Sequence, residues 1–124
     1  MISLVELLGD YDRAFKGTSV AGFPILTVVD NFRVFEGNLV RDAVPLYTIV
    51  GNKLFKGLAV SGRPLATLSD DRIFLGTSVA GMPAARIKGN LVFKGADYMG
   101  RPLATVPSGN RKTLLAAAFH ALHG

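Results

Sequence analysis

The sequence predicts an all-β fold: an antiparallel meander of about ten short strands, curled or closed into a barrel-like sheet and followed by a C-terminal helix. Three observations predict it. One stretch of 19 to 20 residues is written five times. Each copy holds two short apolar segments bounded by turn-forming residues. The end of the chain then changes from strand-like to helical periodicity. A two-sided β-solenoid is the alternative architecture, because coils of this length could stack their phenylalanines directly.

The cleanest copy runs from Asn52 to Leu68. Each copy is anchored on a glycine, and Gly17, Gly37, Gly57, Gly76 and Gly95 follow one another at spacings of 20, 20, 19 and 19. Phe15, Phe35, Phe55, Phe74 and Phe93 each stand two residues before an anchor. Pro24, Pro64, Pro83 and Pro102 stand seven after it, and Pro45 stands eight after it. A fixed period of this kind settles the architecture before any single motif does. The pattern is similar in architecture to β-hairpin repeat families such as the MORN repeat, which also space glycines and aromatics over about twenty residues. The doubled aromatic-glycine signature of that family is absent here, and its functional residues have no counterparts to carry over.

The segment 1–10 reads as an N-terminal cap. Leu4, Leu7 and Leu8 have helical spacing, Gly9 can stop a short helix, and terminal units of repeat arrays need covering. Copies one to five occupy 11–108. Within a copy, Lys53-Leu54-Phe55-Lys56 and Pro64-Leu65-Ala66-Thr67-Leu68 read as strands. Copies join through Gly51-Asn52, Asp70-Asp71 and Gly89-Asn90, which suit two-residue hairpin turns, and through a three-residue turn at Asp30-Asn31-Phe32. Ser61-Gly62 marks the turn inside a copy. With two-residue turns at Ser61-Gly62 and Asp70-Asp71, residue i lies two strands from residue i+18, against a repeat of 19. A one-residue mismatch flips every side chain, so one bulge per copy is required, and the anchor glycine is its expected place. Copy two is irregular: Arg41-Asp42-Ala43-Val44 has one residue more than its counterparts and lacks the turn glycine.

Alternation sorts each copy into two faces. One carries the phenylalanines with Thr27, Thr48, Thr67 and Thr105, and Arg86 interrupts the threonine column. The other carries Ala14, Val34, Leu54, Ile73 and Val92 beside Val28, Ile49, Leu68, Ile87 and Val106. Both are apolar, so both need cover. The larger groups favour the phenylalanine face as the inside of the curl. The smaller residues of the second face, among them Ala66, Ala85 and Ala104, suit a docked helix. That helix is expected over 110–123, capped by Asn110 or Ser108, with Leu114, Leu115, Ala118, Phe119 and Leu122 on one stripe.

All 124 residues fit one domain, 49% apolar and 19% charged, which excludes a disordered chain. Cysteine is absent, removing disulfide and thiolate chemistry. The N-terminal run lacks a basic leader and carries Glu6, a poor secretory signal, so a cytoplasmic location is favoured and no membrane span is expected. His120 and His123 lack the third and fourth ligands a metal wants and suit the negative end of the helix dipole. Asp70-Asp71 reads as a turn rather than an acid pair. No nucleophile elbow, Walker loop or dinucleotide fingerprint is present. Catalytic, cofactor and metal residues are therefore assigned to none. The net charge of +5 is spread along the chain, which supports nucleic acid or an anionic surface only weakly. The expected function is a non-catalytic interaction or structural module, partnered by another protein or assembling as a homo-oligomer. The alternatives are a barrel that binds a small ligand or an anionic polymer, or an enzyme using a barrel-mouth site.

Overall fold

The structure, a computed structural model, describes residues 11–18, 22–30, 32–37, 45–57, 62–77, 79–95 and 100–123. The expected N-terminal cap and the Arg41–Val44 irregularity lie outside these residues. Ten strands follow in order: β1 (Tyr11–Lys16), β2 (Leu26–Val29), β3 (Arg33–Glu36), β4 (Tyr47–Val50) and β5 (Lys53–Lys56), then β6 (Ala66–Ser69), β7 (Arg72–Leu75), β8 (Ala85–Lys88), β9 (Leu91–Lys94) and β10 (Ala104–Thr105). Helix α1 (Arg111–His123) ends the chain. Each strand pairs antiparallel with its neighbours in sequence, and β10 pairs with β1, so the meander closes into a barrel. Antiparallel ladders throughout exclude the solenoid.

The tight turns fall where the sequence puts them. Gly51-Asn52, Asp70-Asp71 and Gly89-Asn90 each join two paired strands with two residues. Gly51 and Asp70 take φ of 62° and 54°, the positive angle that a twisted hairpin turn needs at its first central residue. The opposite end of the barrel differs from expectation. The link expected to turn within two residues at Ser61-Gly62 is longer: β5 ends at Lys56 and β6 begins at Ala66. Proline has no N–H to give a ladder, so Pro64 lies before the strand rather than in it.

This longer link corrects the register. Leu54 pairs with Ala66, and Ala66 with Leu75, so the step across two strands is 21 residues rather than 18. Against a repeat of 19 the slip is two, an even number, and equivalent residues keep the same face. A bulge is still present in every copy, at a different place from the anchor glycine. The Leu65 N–H donates to the Leu54 carbonyl at 2.6 Å although Ala66 is the partner of Leu54, so two residues oppose one. Ile25, Leu46, Ala84 and Leu103 repeat the arrangement against Ala14, Val34, Ile73 and Val92. The anchor glycine instead ends its strand. The Gly57 N–H donates to Leu46 at 2.8 Å, and its φ of 62° then turns the chain out of the sheet.

Following partners once round the barrel from any residue of β1 leads back to β1 ten residues further on. Ten strands with a stagger of ten tilt by about 35° and enclose an axis roughly 9–10 Å from the wall. That is the distance at which a helix packs on a neighbour, about 8–10 Å. Helix α1 takes this place. It touches β9, β10 and β1 on one side, and β4 and β6, which flank the strand opposite β10. Six consecutive residues, Thr113 to Ala118, are fully buried, as a helix surrounded on all sides requires.

The helix therefore lies on the second face, as expected, but that face is the inside. The expectation that phenylalanine lines the interior is overturned. Ala14, Ala66, Ala85 and Ala104 belong to one core cluster with Leu114 to Ala118, whereas the phenylalanines lie outside it. Volume explains the choice. Aliphatic side chains interspersed with four alanines leave a lumen this wide room for a helix, and five phenylalanines in their place would overpack the core. On the outer face Phe15, Phe35, Phe55 and Phe74 pair directly with Thr105, Thr27, Thr48 and Thr67. Each of these threonine hydroxyls donates to the carbonyl of an anchor glycine: Thr27 to Gly37, Thr48 to Gly57, Thr67 to Gly76 and Thr105 to Gly17. The threonine column thus caps the carbonyls that the turning glycines remove from the ladder.

Candidate functional site

The direction of α1 decides where a site can form. Its start is fixed at the tight-turn end of the barrel. Asn110 Oδ1 accepts from the Lys112 N–H at 2.9 Å and caps the helix. Asp12 Oδ2, on β1, accepts from the Ser108 hydroxyl at 2.5 Å and the Thr113 hydroxyl at 2.9 Å. A helix of 13 residues is about 20 Å long, so its last turn reaches the opposite mouth, where the long links are.

The mouth is ringed by two sets of equivalent residues. The last residues of the odd strands, Lys16, Glu36, Lys56, Leu75 and Lys94, share the inward-facing parity but stand exposed at the rim. The bulge residues Ile25, Leu46, Leu65 and Leu103 pack against the core, as do Phe119 and Leu122 of the helix. The bulge explains this placement, since it breaks the alternation that would have put those four residues on the phenylalanine face.

A cavity of about 680 Å³ opens here. Lys16, Arg101 and His120 bring basic groups to it, and Ile25, Pro102 and Leu103 supply apolar wall. Beside it, the Tyr47 hydroxyl and His120 Nδ1 lie 3.0 Å apart. The Phe119 ring meets Tyr47 edge to face at 5.5 Å and stacks at a tilt on His123 at 5.2 Å. Burial of the Tyr47 phenol, with a smaller effect of the nearby Glu36 carboxylate, raises its pKa above 10.0. The neutral phenol can donate to an unprotonated Nδ1 or accept from a protonated one, so His120 keeps its partner in either state.

The histidine pair of the sequence is thus divided. His120 is tied to β4 and lines the cavity, while His123 stacks on Phe119. Among the described residues no group of three or more His, Asp or Glu stands together as a metal site would need. Asp71 pairs with Arg86 at 3.2 Å, and Asp70 occupies the turn. A second, more open hollow lies at the tight-turn end between Asn52, Asp70, Asp71 and Arg111. Among the described residues no helix is long and apolar enough to cross a membrane.

Sequence reasoning did not single out Tyr47, and it met Lys16 at the edge of the second face and Arg101 beside a turn only as scattered basic residues. For Tyr47 a signal existed. In the column Leu26, Tyr47, Ala66, Ala85 and Ala104 it alone has a polar tip, and it belongs to the irregular copy. The basic pair carried none, because a cavity needs the helix end and the long links at the same mouth. No protein-family model, curated protein or solved structure matches the chain.

Proposed function

We propose that the chain is a non-catalytic binding module whose site is the mouth cavity, and that this cavity takes a small amphiphilic anion such as an alkyl carboxylate or alkyl phosphate. One observation carries the reading: Lys16, Arg101 and His120 stand over an apolar wall of Ile25, Pro102 and Leu103 in a volume of about 680 Å³. Sites for small molecules combine these features, with a few charged groups orienting a ligand whose apolar part is buried. The lumen itself is filled by α1, so the ligand is held at the rim. The Tyr47 hydroxyl and His120 Nδ1, 3.0 Å apart beside the cavity, fix the imidazole edge that lines it. Self-association through open strand edges or a bare inner face loses its basis, because the ring is closed and the helix covers that face. It would have to rest on exposed side chains instead.

Isothermal titration with decanoate, decanol and decyltrimethylammonium tests the reading. Decanoate should bind, decanol at least tenfold more weakly, and the cation not at all. The double substitution Lys16→Ala, Arg101→Ala should weaken decanoate by about 100-fold or more, the loss of two charged hydrogen bonds worth ~1.5–3 kcal/mol each. Equal binding of decanol and decanoate, or no binding of either, rejects the assignment.

A further inference from the structure

The same end of the barrel carries side chains that neither the fold nor the cavity uses. Phe23 is 88% exposed and Met82 is 79% exposed, the two most exposed large apolar residues among those described. Both stand six residues after an anchor glycine, where copies three and five have Arg63 and Arg101. Repetition about the barrel axis places these equivalent residues at one level around the rim. Lys16, Lys56 and Lys94 stand exposed on the adjoining strand ends, with Glu36 as the described acid among them. Among the described residues of this end, Lys16, Lys56, Lys94, Arg63 and Arg101 outnumber the acid Glu36, so the balance is basic.

We propose that the long-link end of the barrel docks on an anionic lipid bilayer, with Phe23 and Met82 entering the headgroup layer between lysine and arginine side chains. The arrangement favours a bilayer over a folded partner. A protein interface has a contiguous apolar centre with a polar rim. Here single apolar tips alternate with cations around a ring and stand almost wholly clear of the protein. Equivalent positions at one level match a plane, and scattered apolar insertion combined with basic contact is how proteins lie on acidic membranes. The proposal does not depend on what the cavity holds, since Phe23 and Met82 are outside it.

Vesicle co-sedimentation tests it, with phosphatidylcholine alone and with phosphatidylcholine containing one third phosphatidylserine. The protein should bind the acidic vesicles only and be released by high salt. Phe23→Ser with Met82→Ser should abolish sedimentation and leave the decanoate titration and the circular-dichroism spectrum unchanged. Lys56→Gln with Arg63→Gln should lower partitioning by roughly 25-fold, at about fivefold for each basic residue near an acidic surface. Failure to sediment with acidic vesicles overturns the proposal, even where decanoate still binds. Sedimentation that survives the Phe23 and Met82 substitutions shows charge attraction without insertion and also overturns it. Concentration-dependent dimerisation lost in the same double variant, without vesicle binding, assigns the tips to a second copy instead.

Discussion

At the residue scale, the anchor glycines were legible as special: the positive φ that other residues adopt only at a cost is there, but it ends a strand instead of making a bulge. Gly76 has a φ of 74° and open space where a Cβ would stand. Gly76→Ala therefore meets no neighbour, and its cost is that of the left-handed conformation, about 1–2 kcal/mol. Urea denaturation should show that loss with an unchanged m-value. Thr67 tests the partner side of the same device. Its hydroxyl donates to the Gly76 carbonyl at 2.6 Å and the residue is 2% exposed. Thr67→Val keeps the shape and strands the carbonyl, a loss of about 1–3 kcal/mol. If both variants melt like the parent, the capping role of the threonine column is wrong. Tyr47 gives a pH signature. Its folded pKa is raised, so the stability it contributes is fully present below its unfolded value of 10.0 and falls as pH rises through the folded value. The slope of stability against pH above 10 should be shallower in Tyr47→Phe than in the parent. The polar tip of Tyr47 in an otherwise aliphatic column was the one sequence signal for this position, and it points to the mouth only once the helix is known to lie inside.

At the scale of elements, the strands and tight turns were legible because each carries local chemistry: an apolar pair, then a glycine or aspartate that accepts positive φ. The long links were not. Ser61-Gly62 resembles a hairpin turn, yet Gly57 has already turned the chain out of the sheet and Pro64 delays the next strand. Three residues of register depend on that difference. The helix was legible in extent and cap, but its stripe of Leu114, Leu115, Ala118, Phe119 and Leu122 suggested one docking face. In the structure Ala116 and Ala117, off that stripe, are buried as well. Leu115→Asp places a carboxylate at a fully buried position and should cost more than about 4 kcal/mol or prevent folding. His120→Ala should cost about 1 kcal/mol, the worth of one hydrogen bond to Tyr47. Thermal melts of the two variants check the contrast, and similar melting points would mean the helix is not core.

At the scale of the whole molecule, five repeats sufficed to read about ten strands, a curled or closed sheet and a terminal helix. Inside and outside could not be read, because both faces are apolar and each could have been core. What separates them is volume. A stagger of two residues per hairpin, repeated five times, sets a lumen of helical width, and only the alanine-bearing face leaves room for the helix. The mouth site follows from this threading, since the last helical turn carries His120 and Phe119 to the ring of bulge residues. Fold and mouth site both depend on the helix threading the barrel, and methyl–methyl NOEs on protein labelled at Ala, Ile, Leu and Val report its position. Methyls of Leu114 to Ala118 should show contacts both to strands β9, β10 and β1 and to strands β4 and β6 across the barrel. Contacts confined to one group of adjacent strands would place the helix outside the wall and contradict the account.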